Sequence, residues 1–160
     1  MDAIIASFTE GEMRKNILLI SVVGIIFIIV VFIIAIPIKN DLIAKKVADD
    51  LEMIPLPNNT CVIEKKSLTG KLCGNGNGMQ YFGAILIKSD LSLTDIQDYY
   101  YSFGKGEKRY YVEQQSDGII KVIENQEAYF ESDIEGDDYY IVYTWGEYNG
   151  IASEFDLRGN

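Results

Sequence analysis

The chain has 160 residues, a formal net charge of −10 and no histidine. Without an imidazole it lacks the commonest general base, the commonest zinc ligand and every Ser-His or Cys-His pair, and an acidic surface repels phosphate backbones and argues against nucleic acid as a partner. The acid sits late: residues 125–160 carry nine Asp or Glu against one basic residue, Arg158, which reads as a solvated face or as a docking face for cations or a basic partner.

Residues 1–16 form a short tail in which Ile4, Ile5 and Phe8 fit one amphipathic turn. Between Lys15 and Lys39 lie 23 uncharged residues, and residues 17–38 read ILLISVVGIIFIIVVFIIAIPI. At about 1.5 Å per residue that run makes a helix of about 33 Å, enough to cross a hydrocarbon core of about 30 Å. It exceeds the ~7–15 apolar residues of a cleavable signal, and Ala35-Ile36-Pro37 is a poor cleavage site. The run therefore predicts an uncleaved transmembrane helix with the lipid bilayer as its partner. Flanking charge is close to a tie, Arg14, Lys15 and the amino terminus opposing Lys39, Lys45 and Lys46, so orientation rests on the signal-anchor arrangement, which places the C-terminal domain outside the cytoplasm.

Residues 39–54 place Ile43, Val47, Leu51 and Ile54 at spacings of four, four and three, one face of a stalk helix. That face packs on its own domain, lies on the membrane or pairs with another copy; barely two heptads disfavour a coiled coil. Pro37 is placed to kink the membrane exit, and Pro55 and Pro57 end the stalk. Residues 55–160 then make one extracytoplasmic domain of ordinary size.

From Thr60 the periodicity is that of strands. CVIEKKSLTGKL is followed by the Asn-Gly turn of GNGNG and by MQYFGAILIKS, apolar on both faces and hence a central strand. Ser92 and Asp95 form a capping box ahead of a helix whose buried stripe is Leu93, Ile96, Tyr100 and Phe103, lying over the sheet that holds Phe82, Ala84 and Leu86. RYYVEQQ, IIKVIEN, QEAYFES and YYIVYTWGEY all read as strands. The expected fold is α+β: an antiparallel sheet in the order ββαβββ or ββαββββ, covered by one helix.

Candidate chemistry is sparse. Cys61 and Cys73 either pair, closing a loop of 13 residues, or stay free; pairing requires a turn near Thr69-Gly70, because one continuous strand would hold them about 40 Å apart. Asp133, Glu135, Asp137 and Asp138 gather oxygens around Gly136, a weak calcium candidate without the length or terminal bidentate Glu of a calcium loop. Ser67 with Lys71 or Lys66 is the only hydroxyl–amine pairing near a hydrolase arrangement. GNGNG lacks both a following helix and a Lys-Ser/Thr pair, so it is a turn and no cofactor fingerprint appears.

IPLPNNT, SLTGKLCGNGNGMQYFGAILIKSDLSL, the helix ending DYYYSF and the late YYIVYTWG resemble a group of small single-pass membrane proteins of clostridia and related Gram-positive bacteria. The resemblance implies a bacterial single-span protein and carries no catalytic or binding residue. The function expected is a membrane-anchored, non-enzymatic interaction or accessory domain at the cell surface with a protein partner. The alternatives are a tethered hydrolase using carboxylates or a Ser/Lys pair, and a pilin-like subunit, which would need a Gly-Phe processing site that this chain lacks.

Overall fold

The computed structural model describes residues 2–76, 78–106, 108–147 and 150–159, with side chains described from residue 13. The chain divides into two compact units, Met1–Ala35 and Ile36–Asn160. In the first unit every described residue belongs to the helix α1 (Asp2–Glu52), and every described side chain from Met13 to Ala35 is exposed. A helix this long and apolar, with nothing covering it, has the length and composition to cross a bilayer. Pro37 lies inside α1, so the tail, the apolar run and the stalk fall within one helical element.

The second unit takes in α1 from Ile36 onward. It contains a four-stranded antiparallel sheet in the order β1-β2-β4-β3, built from β1 (Thr60–Gly70), β2 (Gln80–Ser89), β3 (Tyr111–Gln114) and β4 (Tyr139–Gly146). Between β2 and β3 runs α2 (Leu93–Tyr101); after β4 come α3 (Ile151–Phe155) and a single 3₁₀ turn, Leu157–Gly159. The fold is α+β, in the chain order ββαββ. Capping works as its residues suggest: Ser92 Oγ accepts from the Asp95 amide at 3.2 Å and donates to the Asp95 carboxylate at 2.6 Å.

β2 is the centre of the sheet and is buried on both sides, as its unbroken apolar run requires. On one face Ile85, Ile87, Val112, Tyr140 and Val142 pack with Leu51 of α1, with Ile54 just beyond its end, and with Ile96 and Tyr100 of α2. On the other, Phe82, Ala84, Leu86, Ile141 and Tyr143 are covered by Leu72, Ile120, Ile123, Ala128 and Phe130. This corrects the expected pairing of the α2 stripe with Phe82, Ala84 and Leu86. Successive strand residues face opposite ways, so an error of one residue moves a whole stripe across the sheet.

IIKVIEN and QEAYFES contribute only an isolated bridge, Ile119 with Tyr129, and the segment 115–138 covers the sheet as irregular chain. Its backbone groups find partners outside a ladder. Glu64 Oε2 accepts from the Glu131 amide at 2.8 Å, the Ser132 amide at 2.9 Å and the Ser132 hydroxyl at 2.9 Å. Glu64 follows a register shift in β1 after Val62, and such a bulge re-aims the residues beyond it.

The stalk stripe holds at Leu51 and Ile54, both buried, and is shifted by one residue ahead of them. Ala44, Ala48 and Leu51 are buried, whereas Ile43 and Val47 are half-buried flanks. The cause is Gly83 in β2, where a Cβ would lie 2.5 Å from the Ala48 amide nitrogen and 2.7 Å from the Val47 carbonyl carbon. Backbone meets backbone there, and only alanines fit beneath the helix.

Candidate functional site

Where the C-terminal segment meets α1, a buried polar cluster joins three stretches of sequence, residues 37–41, Tyr81 and residues 152–158. Asn40 is 0% exposed. Its Oδ1 accepts from the Tyr81 hydroxyl at 2.9 Å, and its Nδ2 donates to the Ala152 carbonyl at 2.9 Å and to Asp156 Oδ2 at 2.7 Å. Arg158 grips the same carboxylate with two bonds, Nε to Oδ1 at 3.0 Å and Nη2 to Oδ2 at 2.8 Å. The guanidinium also reaches Asp41 Oδ1 at 2.7 Å and the Pro37 carbonyl at 3.0 Å. A buried carboxylate is stable only when paired and fully bonded, and the planar fork of arginine meets that need twice over.

Electrostatics follow from this geometry. The Arg158 guanidinium, assisted by Asn40, holds the Asp156 carboxyl down at about 2 in spite of its burial, and Arg158 is itself raised by Asp156 and Asp41. The cluster ties the chain's end to residues 37–41, the part of α1 that directly follows the apolar run. Lys71 and Gly78 extend the tie, their amides donating to the Arg158 carbonyl at 2.8 Å and the Gly159 carbonyl at 2.6 Å.

A second feature is an open cleft of about 610 Å³ lined by Ile43, Lys46, Val47 and Asp50 of α1 with Lys108, Trp145, Gly146 and Glu147. Its walls are amphipathic and carry both signs of charge. Lys108 lies 3.9 Å from Asp50, a loose surface pair. Trp145 packs against Phe82, with ring centroids 5.1 Å apart.

The residues singled out from the sequence do not converge. Cys61 and Cys73 are free thiols in this structure. Cys61 lies opposite Lys88, whereas Cys73 lies beside Gln80, whose side chain donates to its sulfur at 3.4 Å. Eight strand residues separate those positions, about 26 Å, because β1 runs unbroken from Thr60 to Gly70. Asp133, Glu135 and Asp137 are exposed; Asp138 pairs with Lys88 at 3.3 Å, and among the described residues no three acidic or thiol side chains gather as a metal site. Among the described residues no hydrogen bond joins Ser67 to Lys66 or Lys71, four residues of extended backbone being about 13 Å; the Lys66 amine lies 5.5 Å from the Tyr129 ring instead.

Sequence reasoning missed Asn40 and Asp156. One signal pointed to their neighbour: Arg158 is the lone cation of an acidic segment, and a lone cation among acids is well placed to be held by one of them. Comparison of the chain with protein-family models, with curated proteins and with solved structures finds no match.

Proposed function

We propose that the chain is a single-pass, membrane-anchored accessory or interaction domain that works without a catalytic centre, with its α+β head outside the cytoplasm. The observation that carries this reading is the fully exposed apolar stretch of α1, whose side chains from Met13 to Ala35 have no protein cover; burying a surface of that size in lipid is strongly favourable. The anchor continues in sequence into Ala44, Ala48 and Leu51, which belong to the head's own core. An anchor built into the core suits a domain that must be held at a membrane rather than hung from a loose linker. The cleft between residues 43–50 and Trp145, Gly146 and Glu147 is the candidate contact site for a protein partner.

Cys61 supplies the test, because it is exposed and free. A membrane-impermeant maleimide added to intact, reductant-treated cells should label it as completely as in lysed cells. Labelling only after lysis would put the head in the cytoplasm and overturn the exported topology.

A further inference from the structure

The C-terminal segment exposes an unusual amount of apolar surface in one place. Ile151 is 69% exposed, Phe155 64% and Leu157 81%, and Ile38 and Leu42 of α1 are 53% and 61% exposed. The helix α3 and its C-cap are two-faced: Ala152 and the capping Asp156 are buried while Ile151 and Phe155, also four residues apart, are exposed. This side chain distribution is not that of a loose tail. The inward residues are fixed to Asn40, and Arg158 is bonded to Asp41 and to the Pro37 carbonyl.

We propose that Ile151, Phe155 and Leu157 form a collar that inserts into the headgroup–acyl boundary of the bilayer. The inference rests on the reading of residues 17–38 as a membrane span. If that run fills the hydrocarbon core, Pro37 to Asp41 lie at its interface, and whatever is hydrogen-bonded to them lies there too. The clamp of Asn40, Asp156 and Arg158 holds α3 at that level. Lipid is the occupant that this continuity selects, since Ala152, Asp156 and Arg158, which alternate with the exposed apolar residues, are hydrogen-bonded to Asn40 and to the Pro37 carbonyl, within two residues of where the uncharged run ends. Insertion rather than charge attraction drives it: Glu154 stands exposed between the apolar residues, and the chain is acidic overall, so anionic lipid adds nothing. The collar gives the head a second grip on the bilayer and fixes its height above it.

The test uses the full chain in nanodiscs of phosphatidylcholine, and again with one third phosphatidylglycerol. In a Cys61→Ser, Cys73→Ser background, single nitroxides replace Ile28, Ile151, Phe155 or Gln126, the last exposed on the irregular segment. Power saturation compares accessibility to oxygen, which concentrates in lipid, with accessibility to a nickel chelate, which stays in water. Labels at 28, 151 and 155 should favour oxygen and the label at 126 the chelate, equally in both lipids, with Trp145 emission unchanged throughout. Labels at 151 and 155 that match 126 while 28 favours oxygen would overturn the collar and leave the anchor intact. An aqueous label at 28 would overturn both. Labels at 151 and 155 closed to both reagents and broadened by a second spin would assign the patch to a second copy of the chain, overturning the lipid assignment.

Discussion

Substituting Gly83 by alanine tests whether residues 44–48 are part of the head's core. The added Cβ would stand 2.5 Å from the Ala48 amide nitrogen, 2.7 Å from the Val47 carbonyl carbon and 2.8 Å from the Ala48 Cα. Ordinary carbon contacts begin near 3.5 Å, so helix and strand must part by about 1 Å. No rotamer relieves the clash, because every close atom is backbone. Parting them loosens Ala44, Ala48 and Leu51, all 1% exposed or less, and overpacking of this kind costs about 1–3 kcal/mol or more. For a unit of this size that is a fall in melting temperature of roughly 4–12 °C. Thermal unfolding of the full chain in detergent, followed by fluorescence of Trp145, the only tryptophan, gives the measurement. Gly76→Ala is the control, since a Cβ there meets nothing within 4 Å. A Gly83→Ala protein that melts with wild type would show that α1 does not pack on β2 at this point, and the helix-in-the-core account would fall.

Glu64→Ala should remove the three hydrogen bonds to Glu131 and Ser132, at about 1–2 kcal/mol because the freed donors reach water, and speed amide exchange across residues 116–135 well ahead of β2; unchanged exchange there would refute the pin. The Asp156 carboxyl, held at about 2 against an ordinary 3.8, stabilises the fold fully above about pH 4 and loses that contribution as pH falls toward 2, on the order of 2 kcal/mol. Asp156→Asn should therefore lower the urea midpoint at pH 6 and converge with wild type near pH 2; a gap that does not shrink would mean that the Arg158 pair does not set this titration. Ile96→Asp buries an unpaired carboxylate among Ile85, Ile87 and Tyr100 and should cost several kcal/mol, whereas Asp98→Lys on the exposed side should leave melting within about 0.5 kcal/mol of wild type. Unreduced, denatured protein should titrate as two thiols per chain, with Cys61 faster than half-buried Cys73 in the native state; a titre of zero would restore the disulfide.

The fold class was legible because each signal was local. The apolar run from Ile17, the Ser92–Asp95 cap and the two-sided apolar strand around Ile85 are each decided within a dozen residues. What was hidden depends on contacts between distant segments. The one-residue shift in the first half of the stalk stripe comes from Gly83, about 35 residues away in sequence, and nothing in Ala44 or Ala48 announces a partner lacking a side chain. The strands expected in IIKVIEN and QEAYFES do not form, because Ile120 and Ile123 are buried three residues apart, a spacing that suits a turn and not a pleat, and Glu64 satisfies amides that a ladder would have paired. The clamp was the least visible feature. Asn40 reads as one more polar residue on a helix, and only the return of the chain's end to α1 gives Asp156 and Arg158 a common target.

On the proposed reading an uncleaved apolar helix anchors a head that shares that helix with its own core. Alkaline carbonate extraction of native membranes, followed by intact mass measurement of the chain, tests it most directly. The chain should stay in the membrane pellet with residues 17–38 still joined to the head. A chain released into the supernatant, or one found shortened past the apolar run, would contradict it.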